Sequence, residues 1–210
     1  MTTLNYIQKK FNLDLDQKSP IEIANFGRDQ LAELFAELGF RTIVEIGVCA
    51  GEYSEVLCKA NPEATIFGVD PFISHKEYKD YALKSSIDKY HAKAQEVEDR
   101  YPNYALKEKY SMDAVKDFAD QSIDAVYIDA NHKYEFVVED IAQWTKKIRK
   151  DGIISGHDYS KIRQPTNTHV YQAVHGYTDS HQIKPWFILG QNAMIKGEIR
   201  DRLRSWCWVK

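Results

Sequence analysis

The sequence predicts a single α/β domain built on a mostly parallel, doubly wound sheet of seven strands, and three observations carry that prediction. From residue 27 onward, short continuous apolar runs alternate with amphipathic stretches of helical length, the order that makes parallel strands joined by crossover helices. No internal repeat and no Gly/Ser/Pro linker divides the 210 residues, a length that one compact domain can hold. Two aromatic runs near the end can close the sheet as an antiparallel hairpin.

Taken in order, residues 1–25 are an N-terminal extension. Leu31, Leu34, Phe35 and Leu38 then recur at i, i+3, i+4 and i+7, and Gly39 stops that helix where a left-handed cap is wanted. Residues 42–46 read as the first strand. Tyr53, Val56, Leu57 and Ala60 stripe the next helix, which ends at Asn61-Pro62, and the second strand, 65–69, is stopped by Asp70-Pro71. Residues 72–103 are charged, tyrosine-rich and too long for a plain crossover, and helical stretches at 76–84 and 87–99 make them an inserted helical cap. A third strand follows at 104–107, then a helix at 113–118, and 123–128 is the fourth strand. Tyr134, Val137, Val138, Ile141, Trp144 and Ile148 stripe the helix after it, and 152–155 make the fifth strand. A helix near 170–176 leads to the last two strands, at 186–189 and 206–209.

Composition excludes several classes. The chain is 43% hydrophobic and 28% charged with 10 Gly and 6 Pro, which is globular and neither disordered nor fibrous. A net charge of -3 provides no global positive field for a polyphosphate backbone, so no nucleic-acid partner is expected. The local run Lys146, Lys147, Arg149, Lys150 falls at a helix C-terminus, where cations complement the dipole. Cys49, Cys58 and Cys207 are odd in number and unpaired in spacing, which encodes neither a disulfide framework nor a zinc knuckle and points to a reducing, cytoplasmic setting. Residues 1–17 lack the apolar core of a signal peptide. No run approaches the ~18 apolar residues of a membrane span.

The first chemical signal is Val44-Glu45-Ile46-Gly47-Val48-Cys49-Ala50-Gly51, a buried strand running through a glycine turn into a helix. Glycine supplies positive φ and lets a nucleoside approach the backbone, while the helix N-terminus presents free N–H groups. Asp70 ends the neighbouring strand, where a carboxylate can accept from a ribose diol. A dinucleotide fingerprint would need glycine at 49 and 52, which hold Cys49 and Glu52, and no G-K-[ST] follows Gly51, so the dehydrogenase and P-loop readings fall away. The second signal runs from Ser122-Ile123-Asp124 through Ile128-Asp129-Ala130-Asn131-His132-Lys133-Tyr134-Glu135, then Asp140-Ile141 and Trp144, to Gly152-Ile153-Ile154-Ser155-Gly156-His157-Asp158-Tyr159.

The E-x-G-x-x-x-G turn followed by an acidic strand end resembles the first two motifs of the class I S-adenosylmethionine-dependent methyltransferases, with Cys49 where many carry a middle glycine. The second stretch resembles a subgroup related to the macrolide-sugar and, more distantly, the catechol-type O-methyltransferases, and the resemblance covers about residues 26–160. It implies a Rossmann-like methyltransferase fold, S-adenosylmethionine as cofactor, and O-methylation of a small-molecule hydroxyl.

Residue by residue, the resemblance puts the methionine part of the cofactor on Glu45, Gly47, Val48, Cys49 and Gly51, with Tyr53 and Ser54 beside them. Asp70 and Pro71 take the ribose, Ser111 and Met112 next to Tyr110 the adenine, and Asp129 faces the methyl donor. In metal-dependent relatives the strand-end residues hold a divalent cation, which here means Asp129, His157 and Asp158. An oxygen-rich set suits Mg²⁺, and the histidine admits Mn²⁺, Fe²⁺ or no metal. His132 is the candidate general base, an imidazole with an unperturbed pKa near ~6.5, against the plainer reading that it caps the following helix. Catalytic roles thus fall to Asp129, His132, His157 and Asp158.

Two further readings stay open: a cofactor-binding module without catalysis, and N-methylation of a small molecule. Methylation of a nucleobase amine would call for N/D-P-P-Y/F/W where this chain has Asp129-Ala130-Asn131-His132. The expected partner is a small-molecule acceptor. A homodimer is an open alternative, with Trp206 and Trp208 either at a subunit contact or in the domain's own core.

Overall fold

The computed structural model describes residues 1–74, 83–161 and 168–210. Helix α1 (Thr3–Phe11) precedes strand β1 (Ile21–Ile23) and α2 (Arg28–Glu37). The alternation then runs β2 (Thr42–Ile46), α3 (Glu52–Ala60), β3 (Thr65–Val69), α4 (Lys84–Arg100), β4 (Tyr104–Lys107). A short α5 (Ser111–Ala114) and a 3₁₀ turn (Val115–Asp117) lead to β5 (Ile123–Ile128) and α6 (Tyr134–Lys147). The chain ends with β6 (Ile148–Tyr159), α7 (Val170–Ser180), β7 (Phe187–Leu189) and β8 (Arg204–Val209).

These strands form one sheet in the order β1-β7-β8-β6-β5-β2-β3-β4. Every pairing is parallel except those of β8, which runs antiparallel to both β6 and β7. The expected hairpin is present, and the sheet carries eight strands among the described residues instead of seven. The additional one, β1, lies in what reads as an extension and is held at the edge by parallel pairing of Ile21, Glu22 and Ile23 with Phe187, Ile188 and Leu189.

Both faces of the sheet are covered, as parallel sheets require. Ile43, Ala125, Tyr127 and Ile153 point to one face, where Ile7, Leu31, Phe35 and Leu57 from α1–α3 pack. Val44, Val126 and Ile154 point to the other, against Val137, Ile141, Trp144 and Val174 from α6 and α7. Trp206 and Trp208 stack on each other at 5.1 Å inside this second core and are 0% and 2% exposed, so the core reading of that pair holds. The basic run divides: Lys146 and Lys147 close α6, and Arg149 lies on β6 against Asp124.

Two expectations resolve differently in detail. Of the stretch 72–103, residues 75–82, and with them most of the helix expected at 76–84, lie outside the described residues. The other helix, α4, joins β3 to the parallel strand β4 and so serves as a crossover. The helix expected at 113–118 starts two residues earlier and tightens into the 3₁₀ turn. Among the described residues no helix is long and apolar enough to cross a membrane.

Candidate active site

The centre of the site is the exit of β2. Gly47 has φ +92°, and a Cβ there would stand 2.1 Å from the Asp129 carbonyl oxygen, so the turn closes directly on the end of β5. Cys49 is also left-handed, at φ 51°, and Gly51, at φ 77°, caps α3. Asp70 fastens this turn: its Oδ2 accepts from the Val48 and Cys49 amides at 3.1 Å each, and its Oδ1 accepts from the Phe72 amide at 2.9 Å. The residue expected on a ribose is therefore also the strut that shapes the loop.

Glu45 lies one layer deeper and is 2% exposed. The Ser54 hydroxyl donates to its Oε2, and the Tyr104 hydroxyl donates to Ser54 Oγ at 3.1 Å. Burial pushes the Glu45 carboxyl up to about 8, with the Asp129 and Asp70 charges adding to the rise and the Ser54 hydrogen bond and Arg28 opposing it.

Above the turn opens a cleft of about 710 Å³. Of the residues expected at the cofactor, Glu45, Gly47, Val48, Cys49, Tyr53, Asp70, Pro71, Ser111, Met112 and Asp129 line it. Ser54 and Gly51 do not: Ser54 is wholly buried behind Glu45, and Gly51 faces Val97 of α4. At the far end Ser111 donates to Asp140 and accepts from Trp144 Nε1 at 2.8 Å. Burial raises Asp140 to about 7, opposed by the Ser111 hydrogen bond.

At the cleft's other flank stands an acid and histidine cluster. His132 Nε2 lies 3.3 Å from Asp129 Oδ1 and 3.0 Å from Asp158 Oδ2. Asp158 reaches this position because it adopts a left-handed φ of 57° where the β6–β8 register shifts between Gly156 and Tyr159, and such an irregularity re-aims a side chain. Asp129, His132 and Asp158 offer one ligand atom each within 4.8 Å of one another. The closest three-residue group thus brings in His132, while His157, expected in the set, stands beside it with Nδ1 3.6 Å from Asp129 and 3.5 Å from Asp158.

The same geometry corrects one reading of His132: it does not cap α6, since Lys133 is the N-cap and its amide donates to Asn131 Oδ1. Its two carboxylate neighbours favour the protonated imidazole. Burial alone would lower its pKa, but the hydrogen bonds and charges of Asp129 and Asp158 outweigh that and raise it to about 10. Asp158 moves the opposite way: burial would raise it, yet the two histidines hold it well below the usual carboxylate range.

Residues that sequence reasoning missed include Arg28, Tyr90, Lys93 and Phe136 on the cleft wall. Each sits on a helix position that an amphipathic pattern assigns to solvent. Asp140 and Trp144 were visible as motif residues, but without a role.

A family model described as a methyltransferase domain matches residues 44–159, more than half of the chain. The chain belongs to this methyltransferase family. The matched span of the methyltransferase runs from within β2 to the end of β6 and contains the glycine turn, Asp70, Ser111 and the whole Asp129/His132/Asp158 cluster. No curated protein matches the methyltransferase. Among solved structures it is similar to the O-methyltransferase TomG of Streptomyces achromogenes, involved in tomaymycin synthesis and in complex with SAM. Identity to TomG is 18%, with 99% of this chain and 89% of that one covered and a TM-score of 0.55. It is also similar to an O-methyltransferase of Bacillus cereus in complex with SAH, at 17% identity, the same two coverages and a TM-score of 0.55. A third match, cofactor-bound Rv0187 from MTB, has 14% identity, coverages of 99% and 89%, and a TM-score of 0.56. At these identities the likeness is one of fold, and it extends over nearly the whole methyltransferase.

Proposed function

We propose that the cleft binds S-adenosylmethionine and that the protein transfers its methyl group to a hydroxyl of a small-molecule acceptor, with a divalent cation held by Asp129, His132 and Asp158. The observation that carries this reading is the convergence of two carboxylates and an imidazole within 4.8 Å, on the flank of a cleft floored by a glycine turn. The donor set fits a cation, since two carboxylates and one imidazole suit Mn²⁺ or Mg²⁺ and carry a net negative charge when the imidazole is neutral. A bound cation would lower the pKa of an acceptor hydroxyl and orient it.

The chain's own residues supply the remainder. Asp129 and Asp158 hold a proton on His132, and a cation and that proton compete for one position. The Gly47–Gly51 turn, fixed by Asp70, offers close backbone approach, and Glu45 presents a buried carboxyl from below. Ser111 and Asp140 give a polar pair suited to a base edge. The lining acids Glu52, Asp70, Asp129 and Glu139 outnumber Arg28, Lys93 and His132, and a net charge of -3 adds no global positive field around them, which favours a small acceptor over a polynucleotide. A hydroxyl is preferred to an amine because an amine needs no cation to become a nucleophile once neutral.

The test is calorimetric titration with S-adenosylhomocysteine, with and without Mn²⁺ or Mg²⁺, followed by turnover with hydroxyl and amine acceptors. Micromolar binding is expected, weakened at least tenfold in Asp70→Ala. Asp158→Ala should bind S-adenosylhomocysteine normally and lose Mn²⁺ binding. Absence of S-adenosylhomocysteine binding in every condition would overturn the reading, and turnover of hydroxyl acceptors indifferent to chelator would remove the cation from it.

A further inference from the structure

The cleft is acidic, yet the amino-acid end of the proposed cofactor carries a carboxylate that must rest somewhere. Besides His132, which Asp129 and Asp158 already engage, the half-buried cation in the wall is Arg28, and three features fix it there. Its amide donates to Asp201 Oδ2 at 2.9 Å, its carbonyl accepts from the Tyr53 hydroxyl at 2.9 Å, and its guanidinium lies over the Tyr53 ring, 5.3 Å from the centroid. Tyr53 in turn packs against Tyr127 at 4.4 Å between centroids, so the platform beneath the guanidinium is itself rigid.

What the guanidinium lacks is a bonded anion. Among the described residues, none of its five N–H donors has a hydrogen-bond or ion-pair partner, although burial, which would lower its pKa, is outweighed by charges that reach it through space and raise it, those of Asp129 and Asp201 among them. The neighbouring carboxylates are engaged elsewhere: Glu45 by Ser54, Asp129 by His132, and Asp201 by the Arg28 amide. The guanidinium sits over the Tyr53 ring and lines the cleft, where its fork can meet a carboxylate bidentately. The other lining cation, Lys93, stands exposed on α4 as a flexible point charge.

Position decides which part of a ligand this fork meets. Tyr53 and Tyr127 belong to the core on the α2–α3 face of the sheet, whereas Met112 and Trp144, beside Ser111 and Asp140, belong to the α6–α7 face. A ligand spanning the cleft crosses the sheet edge over Gly47, with its base toward Ser111 and its opposite end toward Arg28 and Glu45.

Building on the methyltransferase reading above, we infer that Arg28 is the carboxylate clamp of the site, binding the α-carboxylate of the cofactor's amino-acid end through its guanidinium fork. Arg28 acts by holding this end, so the sulfonium is oriented from a fixed point; it touches no reacting atom.

The experiment compares S-adenosylhomocysteine with its decarboxylated analogue, which differs only by the carboxylate, on the full chain and on Arg28→Met, by calorimetry. Arg28→Met should weaken S-adenosylhomocysteine about ten- to a hundredfold, the range set by a charge-assisted bidentate contact, and leave the analogue within about twofold. Equal weakening of both ligands, or none of either, would overturn the inference. So would unchanged S-adenosylhomocysteine binding with a raised KM for a carboxylated acceptor, which would hand the fork to the acceptor. Where Arg28→Met lacks a cooperative melt, Arg28→Lys replaces it: the charge stays, the fork goes, and a selective loss on S-adenosylhomocysteine is again required. Failure of the unmodified protein to bind S-adenosylhomocysteine defeats the cofactor reading and this one together. Binding without a selective loss in the variants defeats this one alone.

Discussion

At Glu45 a carboxylic acid occupies a strand position flanked by Val44 and Ile46, and its environment keeps it protonated near neutral pH. In the unfolded chain this group ionises near its ordinary value of 4.5, whereas in the folded protein burial delays ionisation to about 8. Between those values the unfolded chain has given up a proton that the folded protein retains. The stability this group contributes is therefore complete below about pH 4.5 and is lost as pH rises through about 8. Glu45→Gln, which keeps the shape and can still accept from Ser54, should match the wild type in urea melts at pH 5. At pH 8.5 it should be the more stable by a few kcal/mol at most, given about 1.4 kcal/mol per pKa unit. Parallel losses of stability in both proteins would count against this account. The residue type and position were readable from the sequence, but the proton was not, because it depends on how completely the folded core withdraws the carboxyl from water, against the opposing Ser54 hydrogen bond. His132 makes the same point in reverse. An isolated imidazole suggests a base, and against the effect of burial Asp129 together with Asp158, which arrives from a distant strand, raises its pKa and favours the charged form.

Among the elements, the turn between β2 and α3 bears the tightest steric demand. Gly39 and Gly47 both have positive φ, at +69° and +92°, yet a Cβ at Gly39 meets nothing within 4 Å while one at Gly47 enters the β5 carbonyl. Gly39→Ala should thus cost only the strain of a left-handed alanine, about 1 kcal/mol. Gly47→Ala should force β2 and β5 apart, cost roughly 3 kcal/mol or more as an overpacking change does at its upper end, and abolish S-adenosylhomocysteine binding. Thermal melts and titrations of the two variants check this, and similar behaviour of both would contradict it. The long apolar runs made β2, β3 and β5 legible at once. Strand β1 was not, because Ile21-Glu22-Ile23 is too short to show a period and exists as a strand only through its pairing with β7. Asp158 was named from its motif as a candidate, but its contact with His132 was not legible, because the register shift between Gly156 and Tyr159 that accompanies it is set by pairing with β8.

For the whole molecule, β8 is the keystone. It supplies hydrogen bonds to β6 on one side and β7 on the other, and it carries Trp206 and Trp208 into the core shared with Trp144 and Trp186. All four tryptophans are at most 2% exposed, so intrinsic fluorescence should be blue-shifted and move to the red in one cooperative transition on unfolding. Ending the chain at residue 203 should remove that transition and leave exposed tryptophan emission from Trp144 and Trp186. A truncated chain that still melted cooperatively would show that the first seven strands suffice. The general architecture was visible in the alternation of elements, while the cleft wall contributed by α2 and α4 was not, since contacts between distant helices leave no local periodicity.

The pairing of Ile21 with Phe187 also sets a timetable. A ribosome delivers β1 long before β7, its one sheet neighbour among the described residues, and β6 faces an empty flank until β8 follows. During most of synthesis the nascent chain therefore presents an orphan strand and an open edge, the features that invite misassociation. Closure of the sheet waits for β7 and β8, so slowing translation ahead of them should not help this chain fold, whereas shielding it until they emerge should.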